Sequence, residues 1–200
     1  MTTPRSANLD EAAATAAFFL PADELPRLLA ALRGGGRQLV GPTVRDGAIV
    51  LAEIESADEL PRGWTVEAGP GRARLTPTGG TRVFDQPPGP TSWKRWTFPP
   101  RVTQLEWPAD AGEAPPRAGE PAVAASAFLG VRACEIAALA VQDRVLREGP
   151  VADADYVARR RHNLVVAVEC AVAGGTCFCT SMGTGPELSG GFDIALAELD

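Results

Sequence analysis

Two runs in the last third of the sequence, "AVAASAFLGV" (122–131) and "NLVVAVEC" (163–170), are apolar with almost no alternation. A strand wetted on one side alternates polar and apolar residues. A continuous run of this length suits a strand covered on both faces. Between the two lies "ACEIAALAVQDRVLRE" (133–148), in which Ile136, Leu139, Ala140, Val145 and Leu146 recur near helical spacing before Gly149 and Pro150 stop the pattern. "DADYVARRR" reads as a second short helix leading into the second strand. The unit is strand–helix–strand, whose usual arrangement is parallel and right-handed. It predicts an α/β fold in which the carboxyl ends of both strands share one edge of the sheet.

The chain before this unit is different in texture. "NLDEAAATAAFFL" (8–20) predicts a first helix, capped by Asn8 or Asp10 and ended by Pro21. "ADELPRLLAALRGGG" predicts a second, with Pro26 tolerated in its first turn and the glycines stopping it. "RQLVGP" and "GAIVLAEI" read as short strands joined by the turn "TVRDG". From 60 to 120 proline and glycine are frequent, and "GWTVEAG" and "RARLTPT" fit an antiparallel pair. "DQPPGPTSWKRWTFPP" is irregular; its two tryptophans and two basic residues suit either a docking surface or a cover for the sheet. "PADAGEAPPRAGEP" (108–121) reads as a polar surface connection. The expected organisation is an N-terminal helical segment over 1–36 and an α/β domain over 37–200. That domain has a mixed sheet, with the βαβ unit in the C-terminal third and a Pro/Gly-rich β region before it.

Charge and hydropathy exclude some functions. The net charge of −6 argues against a nucleic-acid surface, and the one basic run, "ARRRH" (158–162), fits the polar face of a helix. No apolar stretch reaches the roughly 20 residues of a membrane span. The first residues contain acids and lack a basic region ahead of their apolar patch, unlike an export signal. A cytoplasmic chain meets a reducing environment, where cysteines serve as metal ligands or reactive thiols more than as disulfides.

Three of the four cysteines, Cys170, Cys177 and Cys179, fall in "ECAVAGGTCFCTSMGTGP" (169–186); the fourth is Cys134. If the strands are parallel, Cys134 at the helix start, Cys170 at the strand end and the following loop all meet at one edge, where open α/β sheets carry their sites. A thiolate at a helix N-terminus is stabilised by unpaired N–H groups. The small residues of the loop let main-chain amides approach sulfur. Phe178, between two candidate ligands, is expected to exclude water, and Arg132 to balance negative charge or form a salt bridge. Four thiolates suit an iron–sulfur cluster or zinc, while Cys177 and Cys179 alone suit a thiol oxidoreductase, and buried cysteines also pack as small hydrophobes. The spacing leaves these open, since neither Cys-x2-Cys nor a common ferredoxin run is present. His162 fits a solvated connector. Glu135 and Asp193 fall near the expected edge without forming an acid/base pair. No dinucleotide fingerprint or flavin motif is present, and "GTGP" lacks a phosphate-loop lysine, so no turnover by the chain alone is expected.

"FLGVRACEIAALAVQDRVL", "DADYVARRRHNLVVAVECAVAGGTCFCTSMGTGP" and "GFDIALAEL" resemble the beta-subunit family of cytoplasmic sulfhydrogenases and the A subunit of anaerobic sulfite reductase. "LVGPTVRDGAIVLAEI" and "GPTSWKRWTFPP" are similar more loosely. The resemblance implies a non-catalytic electron-transfer subunit with 4Fe-4S clusters. It implies two partners, a flavin- and nicotinamide-binding subunit and a catalytic subunit of the same complex, with electrons relayed between them. It aligns Cys134, Cys170, Cys177 and Cys179 with the family's cysteines one for one. Family members continue into a ferredoxin-like domain with two further cluster motifs, whereas this sequence ends at Asp200, so that relay is expected to be absent here. The alternatives from the residues themselves are a structural or interaction module, zinc-bound or metal-free, and a Cys-x-Cys thiol oxidoreductase.

Overall fold

A computed structural model describes residues 17–107, 117–119 and 123–199. The helix expected over 8–20 lies mainly outside the described residues, and its described end, 17–20, is not helical. Most of the connection at 108–121 lies outside them too. After a 3-10 turn at Ala22–Glu24, α1 spans Leu25–Leu32, with Pro26 in its first turn. Strands β1 (Gln38–Arg45) and β2 (Ala48–Glu53) form a hairpin. Its turn is tighter than "TVRDG": only Asp46 and Gly47, both at positive φ, stand between the paired residues Arg45 and Ala48. A second hairpin joins β3 (Trp64–Gly69) to β4 (Arg72–Pro77). Within the irregular tryptophan segment lies a one-turn helix, α2 (Lys94–Thr97). Two-residue strands β5 (Leu105–Glu106) and β6 (Arg117–Ala118) pair antiparallel.

The last third follows its apolar pattern. Strand β7 covers Ser126–Val131, α3 Ala133–Leu146, α4 Ala154–His162 and β8 Asn163–Val168. A short helix, α5 (Cys179–Met182), precedes β9 (Ile194–Leu196). The main sheet has the order β2-β1-β7-β8-β9. β1, β7, β8 and β9 run parallel, and β2 is antiparallel at the edge. The fold is therefore α/β with a mixed sheet and a βαβ unit.

Both faces of the sheet are covered, which explains the unbroken apolar runs. On one face, Leu25, Leu29 and Leu32 of α1 pack with Leu39, Ile54, Leu129 and Val166. On the other, Leu139 of α3 and Trp93 meet Val40, Phe128 and Val165. Successive residues of one strand, such as Leu39 and Val40, thus serve opposite cores. Trp93 is 2% exposed, with its ring centroid 4.9 Å from that of Phe128. The segment "TSWKRWTFPP" thus covers the sheet through Trp93. Burying one such side chain contributes about 1.5–3 kcal/mol.

Local chemistry fixes the ends of α3. The Glu135 carboxylate accepts the Arg132 N–H at 2.9 Å, which closes the first turn. Asp153 caps α4 by accepting the Tyr156 N–H at 2.8 Å. The Tyr156 hydroxyl then donates to Asp143 at 2.7 Å, and the Arg160 guanidinium lies 3.3 Å from the same carboxylate, clamping α4 onto α3. Burial and the Asp143 hydrogen bond push the Tyr156 hydroxyl pKa upward. At the end of β7, Gly130 adopts φ 88 where the β7–β8 register shifts. A Cβ there would press on Phe84 and Pro42, so glycine suits this kink, which aims Arg132 and α3 away from the sheet.

Candidate functional site

The four parallel strands end on one edge, and all four cysteines belong to the segments that leave it. Cys134 is in the first turn of α3, directly after β7. Cys170 follows β8, and Cys177 and Cys179 come from the next loop, with Cys179 opening α5. None is in a disulfide. The charges of Cys179, Cys170 and Cys177 all bear on Cys134, and those of Cys177 and Cys179 bear on Cys170. The thiols therefore share one electrostatic neighbourhood. Cys134, Cys177 and Cys179 also line a common cavity.

Main-chain contacts hold the loop. The Gly174 N–H donates to Cys177 Sγ at 3.2 Å. The Ala68 carbonyl of β3 would lie 2.5 Å from a Cβ at Gly175, so only glycine lets the loop approach the hairpin this closely. The Cys170 thiol donates to the Val172 carbonyl at 3.5 Å.

Electrostatics correct the expectation for Cys134. Burial pushes its thiol up to about 11, and Glu135 and the other cysteines add to the rise. These effects outweigh the helix N-terminus, so in the metal-free chain Cys134 is a neutral thiol at pH 7. Burial also raises Cys170, opposed by the neighbouring Arg132 charge.

Arg132 is buried at 3% exposure. Its guanidinium donates to the carbonyls of Glu169 at 2.7 Å, Phe84 at 2.7 Å and Gln86 at 3.1 Å. Among the described residues no carboxylate lies within ion-pair distance of it. Burial lowers its pKa, while the charges of Cys170, Glu135 and Cys134 raise it.

Other expectations resolve differently. Phe178 is 69% exposed and does not shield the sulfurs from water. Asp193 is not at the carboxyl edge: it directly precedes β9, accepting the Val165 N–H at 2.7 Å midway along β8. Glu135 caps α3; burial raises its pKa, opposed by hydrogen bonding to the Arg132 N–H and the Trp93 side chain. Exposed His162 ends α4 at the amino end of β8, away from the cysteines, its Nδ1 2.7 Å from the Ala158 carbonyl. Sequence reasoning missed Glu198, whose carboxylate accepts the Val83 and Phe84 N–H groups at 2.7 and 2.8 Å. Nothing local to "AELD" signals that contact.

Among the described residues, no group of three or more His, Cys, Asp or Glu side chains closes on one point as a single metal ion requires. A tetrahedral zinc with Zn–S near 2.3 Å brings its sulfurs to about 3.8 Å from one another. A cubane cluster, with a ligand at each of four iron corners, holds its cysteines further apart. Among the described residues no helix is long and apolar enough to cross a membrane. Comparison with protein-family models, with curated proteins and with solved structures finds no match to this chain.

Proposed function

We propose that the chain is an iron–sulfur electron-transfer subunit whose Cys134, Cys170, Cys177 and Cys179 hold a 4Fe-4S cluster. It serves a cytoplasmic oxidoreductase complex of the sulfite reductase or hydrogenase type. Its partners are a flavin- and nicotinamide-binding subunit on one side and a catalytic subunit on the other. The observation that carries this reading is Arg132: a buried cation held by three carbonyls, beside Cys170 and Cys134. Such a charge calls for an anionic neighbour. Cys170, Glu135, Cys134 and Glu198 are the groups whose charge bears on it, and four cysteine thiolates are the donor set a cluster takes.

A cluster supplies one-electron storage and release, tuned by burial and by hydrogen bonds to sulfur. The chain's own residues supply the rest. Arg132 offsets negative charge at Cys134 and Cys170. The Gly174 N–H donates to Cys177 Sγ, the kind of hydrogen bond to sulfur through which a protein tunes a cluster. The raised pKa of Cys134 means that ligation at neutral pH must expel a proton, so loading weakens as pH falls.

The test is anaerobic reconstitution with iron and sulfide, followed by iron and sulfide analysis and EPR of the reduced protein. The expected result is about four irons per chain, with Cys170→Ser and Cys177→Ser each bleaching the brown absorbance. A colourless, iron-free parent would overturn the reading. Bound zinc in its place would support a structural module. Thiol redox cycling abolished by Cys177→Ser but not by Cys170→Ser would support a Cys177–Cys179 oxidoreductase.

A further inference from the structure

A cavity of about 670 Å³ opens beside the cysteines. Hairpin β3–β4, helix α3, the stretch from Pro87 to Pro90 and the cysteine loop supply its walls. Its volume lies within the roughly 300–1,000 Å³ of small-molecule sites. It stays open because its walls carry small residues, among them Ala68, Ala73, Ala137 and Ala138. A larger side chain at any of these would occupy the space. Wetting an apolar concavity of this size is unfavourable, so an apolar occupant gains from its burial.

Charge narrows the occupant further. Among the described residues, Arg72 and Arg74 are the only ionisable ones besides the thiols that line the cavity, and no carboxylate lines it. Neither guanidinium has a hydrogen-bond or ion-pair partner among the described residues. A cation entering here would meet uncompensated positive charge, whereas an anion would be drawn in.

We propose that this cavity binds a small molecule with an apolar body and one anionic group of the carboxylate, phosphate or sulfonate type. The molecule would lie against the wall formed by Cys134, Cys177 and Cys179. The site is built from the chain alone and does not rest on the cluster.

The probe is 1-anilinonaphthalene-8-sulfonate, titrated into the full chain by fluorescence and calorimetry, both metal-free and after iron and sulfide reconstitution. One saturable site per chain is expected in the metal-free form. Ala138→Phe and Ala73→Phe, entering from different walls, should each weaken binding about tenfold or more. Near-ultraviolet circular dichroism checks that each variant is folded, and if one is not, the other decides. Arg72→Gln with Arg74→Gln should weaken the sulfonate about fivefold while leaving neutral N-phenyl-1-naphthylamine within about twofold. Dodecanoate and 2-naphthyl phosphate then compete for the site; displacement by either supports the class and separates chain-like from ring-like ligands. Non-saturable binding, affinity unchanged in a folded phenylalanine variant, equal losses of both probes on arginine replacement, or displacement by neither competitor would overturn the proposal. A metal-free chain that binds the probe but takes up no iron breaks the cluster reading alone. A chain that takes up iron but binds no probe in either form breaks this one alone.

Discussion

In β7 and β8 the main chain satisfies its own hydrogen bonds through strand pairing, and side chains such as Phe128, Leu129 and Val166 fill the two cores. Residues 81–91 are also partly buried, with Val83, Phe84 and Gln86 at 2–5% exposure, yet they pair with no strand. Their polar groups are met by distant side chains. Glu198 accepts from the Val83 and Phe84 amides, and Arg132 donates to the Phe84 and Gln86 carbonyls. Thr65 donates to the Asp85 carbonyl, and Arg82 lies 3.0 Å from Asp85. A ladder spreads its hydrogen bonding over many residues. The 81–91 segment concentrates it on a few charged ones, and the stretch within it from Pro87 to Pro90 walls the cysteine cavity. Order at the site therefore depends on charge more than on sheet pairing.

Arg132→Met gives the largest expected effect, since methionine keeps much of the length but none of the donors. Three carbonyls, of Phe84, Gln86 and Glu169, lose their partner together, and stability should fall by about 3–5 kcal/mol. Urea unfolding measures it. A loss under about 1 kcal/mol would mean that the irregular segment is held as diffusely as the ladder.

Glu198→Gln comes next. The amide keeps one acceptor oxygen but loses the charge and the second acceptor. The expected cost is about 1.5–3 kcal/mol. Hydrogen exchange gives the sharper reading: the Val83 and Phe84 amides should exchange faster, while those of Val165 and Val166 keep their protection. Equal acceleration in both places would show that the two regions open as one unit, and the contrast between them would fail.

The same contrast decides what the sequence disclosed. The runs at 126–131 and 163–168 announce buried strands because their neighbours are helices on both faces, a demand written into every residue. Chain order then puts Cys134 and Cys170 at one edge without further information. The partners that hold Val83, Phe84 and Gln86, Glu198 and Arg132, lie more than forty positions away, so "TRVFDQPPGP" carries no local trace of them. β9 escaped notice because it is three residues long and only half-buried, too short for a period to show. Phe178 was misjudged because an apolar residue between two cysteines says nothing about which way its ring turns. The cavity was invisible for a related reason: alanines on a helix and a hairpin read as ordinary packing until the two elements meet.

The smallest expected effect is on pH dependence, and it tests whether the cysteine edge behaves as part of the buried sheet or as its wet margin. Burial, then Glu135 and the charges of Cys179, Cys170 and Cys177, raise the Cys134 thiol from 9.0 to about 11 in the folded chain. The folded state therefore holds this proton over a range in which the unfolded state releases it. The stability linked to it is complete below pH 9 and is lost as pH rises towards 11. Cys134 is half-exposed, so solvent screening keeps the amplitude small. Urea midpoints of the metal-free protein, kept reduced and chelated, should decline between about pH 9 and 11 in the parent and decline less in Cys134→Ala. Comparing the two removes the contribution of Tyr156, whose pKa is also raised and which is present in both. Parallel curves for parent and variant would mean that the Cys134 thiol titrates as it does in the unfolded chain, which would set it apart from the buried strand it follows.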